Sequence, residues 1–171
     1  MSQGRIDVHH HILTPEYVEE LAKVGVVEAG GVPLAQLERW KPEDSLAVMD
    51  RYGIETALLS VSSPGLCFGD AVKARDMARS LNEFAAGCAR RWPGRFGFFA
   101  VLPLPDVEAT LSEIGYALDT LGAAGVGLMS NHESVYLGDP RFEEVFAELD
   151  RRAAVAFVHP TVFTGSEIPS A

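Results

Sequence analysis

Two rhythms alternate along this chain. Five short runs, at residues 6–12, 56–62, 96–102, 125–130 and 154–160, are nearly continuous in apolar residues and read as strands. Between them apolar residues recur at helical spacing. Thr14 and Pro15 read as the cap and first residue of a helix running towards Lys23. Pro42, Glu43 and Asp44 open a second helix that carries Leu46 and Met49 and stops at Gly53. A third spans about 70–91, with Ala74, Met77, Ala78, Leu81, Phe84, Ala85 and Cys88 on one side. A fourth runs from Pro105 and Asp106 through Leu111, Ile114, Leu118 and Leu121 to Gly122. A fifth follows Asp139 and Pro140 and is expected to turn Phe142, Val145, Phe146 and Leu149 inward. Gly25, Gly30, Gly31 and Pro33 break the pattern, so residues 25–42 read as a loop with little regular structure, placed to cover the end of the first strand.

Strand–helix alternation with continuously apolar strands calls for an α/β fold, a parallel sheet covered by helices. A doubly wound sheet and a (β/α) barrel both satisfy it. The turn after the first strand is His-Ile-Leu-Thr-Pro, with no G-x-G-x-x-G and no phosphate loop, so a nucleotide site is disfavoured. In both architectures chemistry sits at the C-terminal ends of strands. The candidates there are His9 and His11, Ser60 and Ser62, Asn131 and His132, and His159.

The first strand carries Asp7-Val8-His9-His10-His11. With period two, Asp7, His9 and His11 share one face, and Ile6, Val8 and His10 share an apolar face expected to lie under helices. Imidazoles at i and i+2 can converge on one cation. The bland alternative, the remnant of an affinity tag, fits poorly because the run lies inside a strand pattern rather than a Gly/Ser linker. His159 adds a third imidazole at the same end, though a buried histidine bonded to a carbonyl is an equal reading of it taken alone. Three protein ligands leaving one position open is the plan of catalytic zinc sites. Asp7 is a candidate for orienting one imidazole. His132 reads either as a substrate contact or, preferably, as a solvated loop residue.

Composition narrows the partners. The 171 residues are 47% hydrophobic, enough for one domain with a core. The formal charge of −10 disfavours nucleic acid and anionic membrane. No apolar run has transmembrane length, and the N-terminus does not read as a signal peptide. Cys67 and Cys88 have no CxxC spacing and read as reduced thiols in a cytoplasmic protein.

The Asp-x-His-x-His strand with the His159-Pro160 strand end resembles the metal-dependent amidohydrolase superfamily. The closer likeness is to its non-oxidative decarboxylases, typified by aminocarboxymuconate-semialdehyde decarboxylase. It rests on residues 6–15, 49–57 and 136–149 and on Phe157-Val-His-Pro160. The resemblance implies a (β/α)8 TIM-type barrel of which this chain is a single N-terminal portion covering the first five strand–helix units. It implies one divalent metal, zinc first and manganese second, on His9, His11 and His159. It implies a small aromatic or unsaturated carboxylic acid as substrate, and a substrate loop near Trp40, with Arg39 as a candidate contact. Asn131 and His132 join them as candidate substrate residues. The family's sixth-strand histidine and eighth-strand aspartate have no counterpart, so a fragment is expected, with association into homo-oligomers through exposed sheet edges. Decarboxylation leads; hydrolysis of an ester, lactone or amide is the alternative, and an inactive fragment that binds only metal or a partner is the third reading.

Overall fold

A computed structural model of the chain describes residues 4–29, 32–37, 40–66, 68–132 and 135–161. At its centre are five parallel strands: β1 (Arg5–His11), β2 (Ile54–Ser60), β3 (Phe96–Val101), β4 (Gly125–Met129) and β5 (Ala156–His159). They lie side by side in chain order, with β1 and β5 at the edges. A doubly wound sheet reverses direction at a switch point; this one never does. The strand order therefore decides for barrel winding, and the chain builds half of such a barrel.

Five helices connect the strands: α1 (Pro15–Lys23), α2 (Pro42–Tyr52), α3 (Ala71–Arg91), α4 (Val107–Gly115) and α5 (Glu143–Arg151). Local chemistry sets their ends. Thr14 Oγ1 accepts from the Tyr17 N–H, and Asp70 from the N–H groups of Val72 and Lys73. Asp106 caps α4 through Ala109, and Asp139 starts a 3-10 turn, Pro140–Phe142, that leads into α5. Gly53, at φ 67°, ends α2 in the left-handed conformation. One core packs Ile12, Tyr17, Leu21, Met49, Leu59, Leu81 and Phe98; a second packs Ile114, Val126, Leu128, Phe142, Val145 and Leu149. None of the described helices is long and apolar enough to cross a membrane.

The little regular structure within residues 25–42 is an antiparallel pairing of Glu28–Ala29 with Val32–Pro33 and a one-turn helix, Leu34–Leu37. Ala29 and Leu34 are buried, which ties the segment to the core. Several expectations are corrected. The fourth helix does not run regularly to Gly122 but widens into a π turn at Tyr116–Leu121. Phe146 is partly exposed at 37%, because Val145 and Leu149 already fill the inner face of α5. Ile6 and Val8 are 63% and 47% exposed, because β1 is an edge strand and helices cover it incompletely.

Gly125 marks a close approach of β4 to β5. A Cβ there would collide with the backbone oxygen and Cβ of Val155. Gly125→Ala is expected to destabilise the fold by about 2 kcal/mol through forced separation of the two strands. A denaturant midpoint equal to that of the parent would show that β5 moves aside without cost.

Candidate metal centre

β1 and β5 are opposite edges of the sheet, yet their side chains meet. The sheet curls so that the His9 and His159 rings lie 5.0 Å apart, His11 and His159 5.0 Å, and His9 and His11 4.8 Å. One potential ligand nitrogen from each histidine lies within 4.8 Å of the others. Ligand atoms of a tetrahedral zinc site stand roughly 3.4 Å apart, given bonds of about 2.1 Å. Small ring rotations close the difference. His9 is exposed, His11 half-buried and His159 buried, so the cluster is open on one side.

Protonation suits ligation. Burial, then the charges of His159 and His9, push His11 down to about 4, leaving a neutral ring at pH 7. His159 Nδ1 lies 2.7 Å from the Pro160 carbonyl oxygen, to which it donates. That bond fixes the tautomer and leaves Nε2 as the lone-pair donor. Three imidazoles converging without a carboxylate among them fit a divalent cation. Beside them lies a narrow cleft of about 20 Å³, room for about one water molecule. Phe157 and Phe99 stack in it, ring centroids 5.3 Å apart and planes 5° from parallel, with Phe157 also 5.6 Å from the His9 ring. Leu102, Leu128 and Met129 complete an apolar wall.

A family model described as amidohydrolase matches residues 6–170. The chain belongs to the amidohydrolase family. It is 42% identical over 164 residues to the decarboxylase yanB of Aspergillus niger, an alignment covering 92% of this chain and 43% of that one. It is 40% identical over 163 residues to the 6-methylsalicylic acid decarboxylase of Penicillium expansum, covering 92% and 49%. A solved amidohydrolase II structure superimposes with a TM-score of 0.90 at 31% identity, covering 98% of this chain and 54% of the other. The chain thus spans about half the length of the curated relatives it matches.

The other sequence candidates fall in different places. His132 is not solvated. It is buried, lines the cleft with His159 and Ser60, and packs edge-on against Phe142. A short antiparallel pairing of Asn131–His132 with Val135–Tyr136 holds it there. Its Nε2 has no hydrogen-bond partner among the described residues, and burial pushes its pKa down to about 4. Asn131 is buried as well, but its amide donates to the Thr161 carbonyl at 3.3 Å. Ser130 Oγ accepts from the Thr161 N–H at 3.0 Å, and Ser63 Oγ lies 2.6 Å from Thr161 Oγ1. These three residues anchor the chain just beyond His159. Ser63 and Ser130 are invisible to motif reading, because ordinary serines acquire this role only through the fold. Trp40 donates to Ser45 Oγ and packs on Phe84, and no described contact joins it to the histidine cluster. Asp7 meets the imidazole of His10 rather than that of His9 or His11: its Oδ2 lies 3.0 Å from His10 Nδ1. Strict alternation placed these two on opposite faces; a register shift between Asp7 and His10 brings them together. Arg39 and Cys67 lie outside the described residues.

The depressed pKa of His132 has a consequence for stability. The unfolded chain binds a proton there near pH 6.5, the folded chain only near pH 4. The stabilisation is therefore complete above pH 6.5, is lost as pH falls towards 4, and changes no further below that. On the order of 3 kcal/mol is expected to disappear across this window, with His11 adding in the same direction in the metal-free protein. Urea midpoints of the parent and His132→Phe, measured between pH 7 and 4, check it. Parallel pH profiles of the two proteins would remove His132 as the cause.

Proposed function

We propose that the protein carrying this chain is a metal-dependent, non-oxidative decarboxylase of a small aromatic carboxylic acid. The observation that carries the reading is the cluster of His9, His11 and His159 beside the stacked Phe99–Phe157 pair, at the strand ends where parallel α/β folds place chemistry. The named decarboxylase relatives, one of them acting on 6-methylsalicylic acid, support it. In this reading the three imidazoles hold zinc, since neutral nitrogen donors favour it over magnesium or calcium. The bound cation supplies a Lewis acid for the substrate's oxygens.

The chain's own residues do the rest of the binding. His159, tied to the Pro160 carbonyl, keeps its donor nitrogen aimed without a search over tautomers. Phe157, flush with Phe99, presents an apolar surface to a planar ring and excludes water from it. In the net reaction the bond between ring carbon and carboxylate carbon breaks. CO2 leaves, its electron pair stays on the ring carbon, and that carbon takes one proton.

The test is incubation of the intact protein with ¹³C-carboxyl-labelled 6-methylsalicylate, and separately with its methyl ester. Labelled CO2 together with 3-methylphenol supports the proposal. Methanol from the ester without CO2 from the acid identifies a hydrolase, and no turnover of either favours the non-catalytic reading.

A further inference from the structure

Four side chains on the α2 side of β1 form one hydrogen-bonded line. Trp40 Nε1–H donates to Ser45 Oγ at 3.0 Å, Ser45 Oγ lies 2.7 Å from His10 Nε2, and His10 Nδ1 lies 3.0 Å from Asp7 Oδ2. An indole N–H only donates and a carboxylate only accepts. His10 Nδ1–H therefore donates to Asp7, and in a neutral ring this leaves Nε2 to accept the Ser45 hydroxyl. The other Asp7 oxygen accepts the backbone N–H of His9 at 3.0 Å. The line therefore ends on the backbone inside the register shift, at His9, the first of the two β1 histidines of the cluster.

The atoms are those of a hydrolytic Ser–His–Asp arrangement, but access argues against that use. Ser45 is buried, and the Trp40 N–H occupies the oxygen that would attack. Both ring nitrogens of His10 are engaged, so the ring cannot turn without breaking a bond. A bulge re-aims the side chains beside it, and a strand that slips by one residue moves each side chain to the opposite face. Here those side chains are His9 and His11.

We propose that the line Trp40–Ser45–His10–Asp7 is a positioning device for the metal centre, holding the irregularity in β1 so that His9 and His11 face His159. Ser45 and Trp40 act through His10 and Asp7 and touch neither cation nor substrate. The inference rests on the three-histidine cluster being a metal site, as proposed above.

The experiment compares the intact metal-free protein with Ser45→Ala, Ser45→Thr and Trp40→Phe. Cobalt(II) is titrated and its d–d absorption recorded, and amide hydrogen exchange at His9 and His11 is measured without metal. Ser45→Ala is expected to weaken cobalt binding about tenfold, at the lower end of the loss for residues that orient metal ligands, and to alter the d–d envelope. Exchange at His9 and His11 rises while the other strands keep their protection. Ser45→Thr restores both readouts. Trp40→Phe, which keeps a ring against Phe84, shifts them the same way by a smaller factor and carries the test if Ser45→Ala fails to fold. Cobalt affinity, spectrum and exchange all equal to the parent's overturn the proposal. So does a loss of protection spread across the whole sheet that Ser45→Thr does not rescue. A parent that takes up no cobalt defeats the metal reading, and exchange at His9 and His11 then decides the positioning claim alone.

Discussion

His11→Ala is expected to lower the affinity for a divalent cation by more than ~100-fold, beyond the usual loss for residues that merely orient ligands. Turnover of the intact protein should fall with it. His11 is the best placed of the three for this test. Its ring centroid lies 4.8 Å from that of His9 and 5.0 Å from that of His159, so it touches both of the others. Its neutral form is already enforced by burial, so ligation costs no deprotonation at pH 7. It is also only half-buried, so truncation leaves little void and the fold should survive. Inductively coupled plasma mass spectrometry of parent and variant, each loaded with equimolar zinc and desalted, is the measurement. Equal stoichiometric zinc in both would move the metal elsewhere and end the reading of this cluster.

Asn82→Ala is expected to cost about 4 kcal/mol of stability, as when one partner of a buried polar network is removed. Asn82 is fully buried on α3. Its Oδ1 accepts the Val101 N–H at 2.7 Å, and its Nδ2 donates to the Val101 carbonyl at 2.9 Å and to Glu113 Oε1 at 2.8 Å. One amide thus stands in for a neighbouring strand at the end of β3 and also serves a buried carboxylate. Alanine leaves the Val101 peptide unpaired in the interior and Glu113 dependent on Arg79 alone. Arg79→Ala should cost much less, because that guanidinium is 41% exposed. Urea unfolding of both variants checks the ranking. A loss below about 1 kcal/mol for Asn82→Ala, the size of one ordinary hydrogen bond, would mean that water repairs the gap. Val101 also lines the cleft, so the same variant should loosen its floor.

The parts of the molecule legible in its sequence are those governed by nearest neighbours along the chain. Thr14, Asp70 and Asp139 cap helices because their side chains meet N–H groups two or three residues away. Gly53 stops α2 for an equally local reason. The convergence of His9, His11 and His159 was accessible by a longer step, since parallel strands put their C-terminal ends at one rim. What escaped depends on pairing between elements. The register shift in β1 carries no residue signature, and without it Asp7 is assigned to the wrong imidazole. His132 looked like a loop residue because its burial comes from Phe142, ten positions on. Asn82 carries no signal in the sequence, because its partners are a strand end and another helix.

The curl of the sheet gives the metal cluster a topological meaning. His11 and His159 stand nearly 150 residues apart in the chain and meet only when all five strands are in place. During synthesis the cluster cannot assemble until His159 has left the ribosome, so cation capture would report that β1 and β5 have been brought together. A cation held by β1 and β5 together binds only the wound sheet, so it stabilises that form by an amount that grows with the logarithm of its concentration over its Kd.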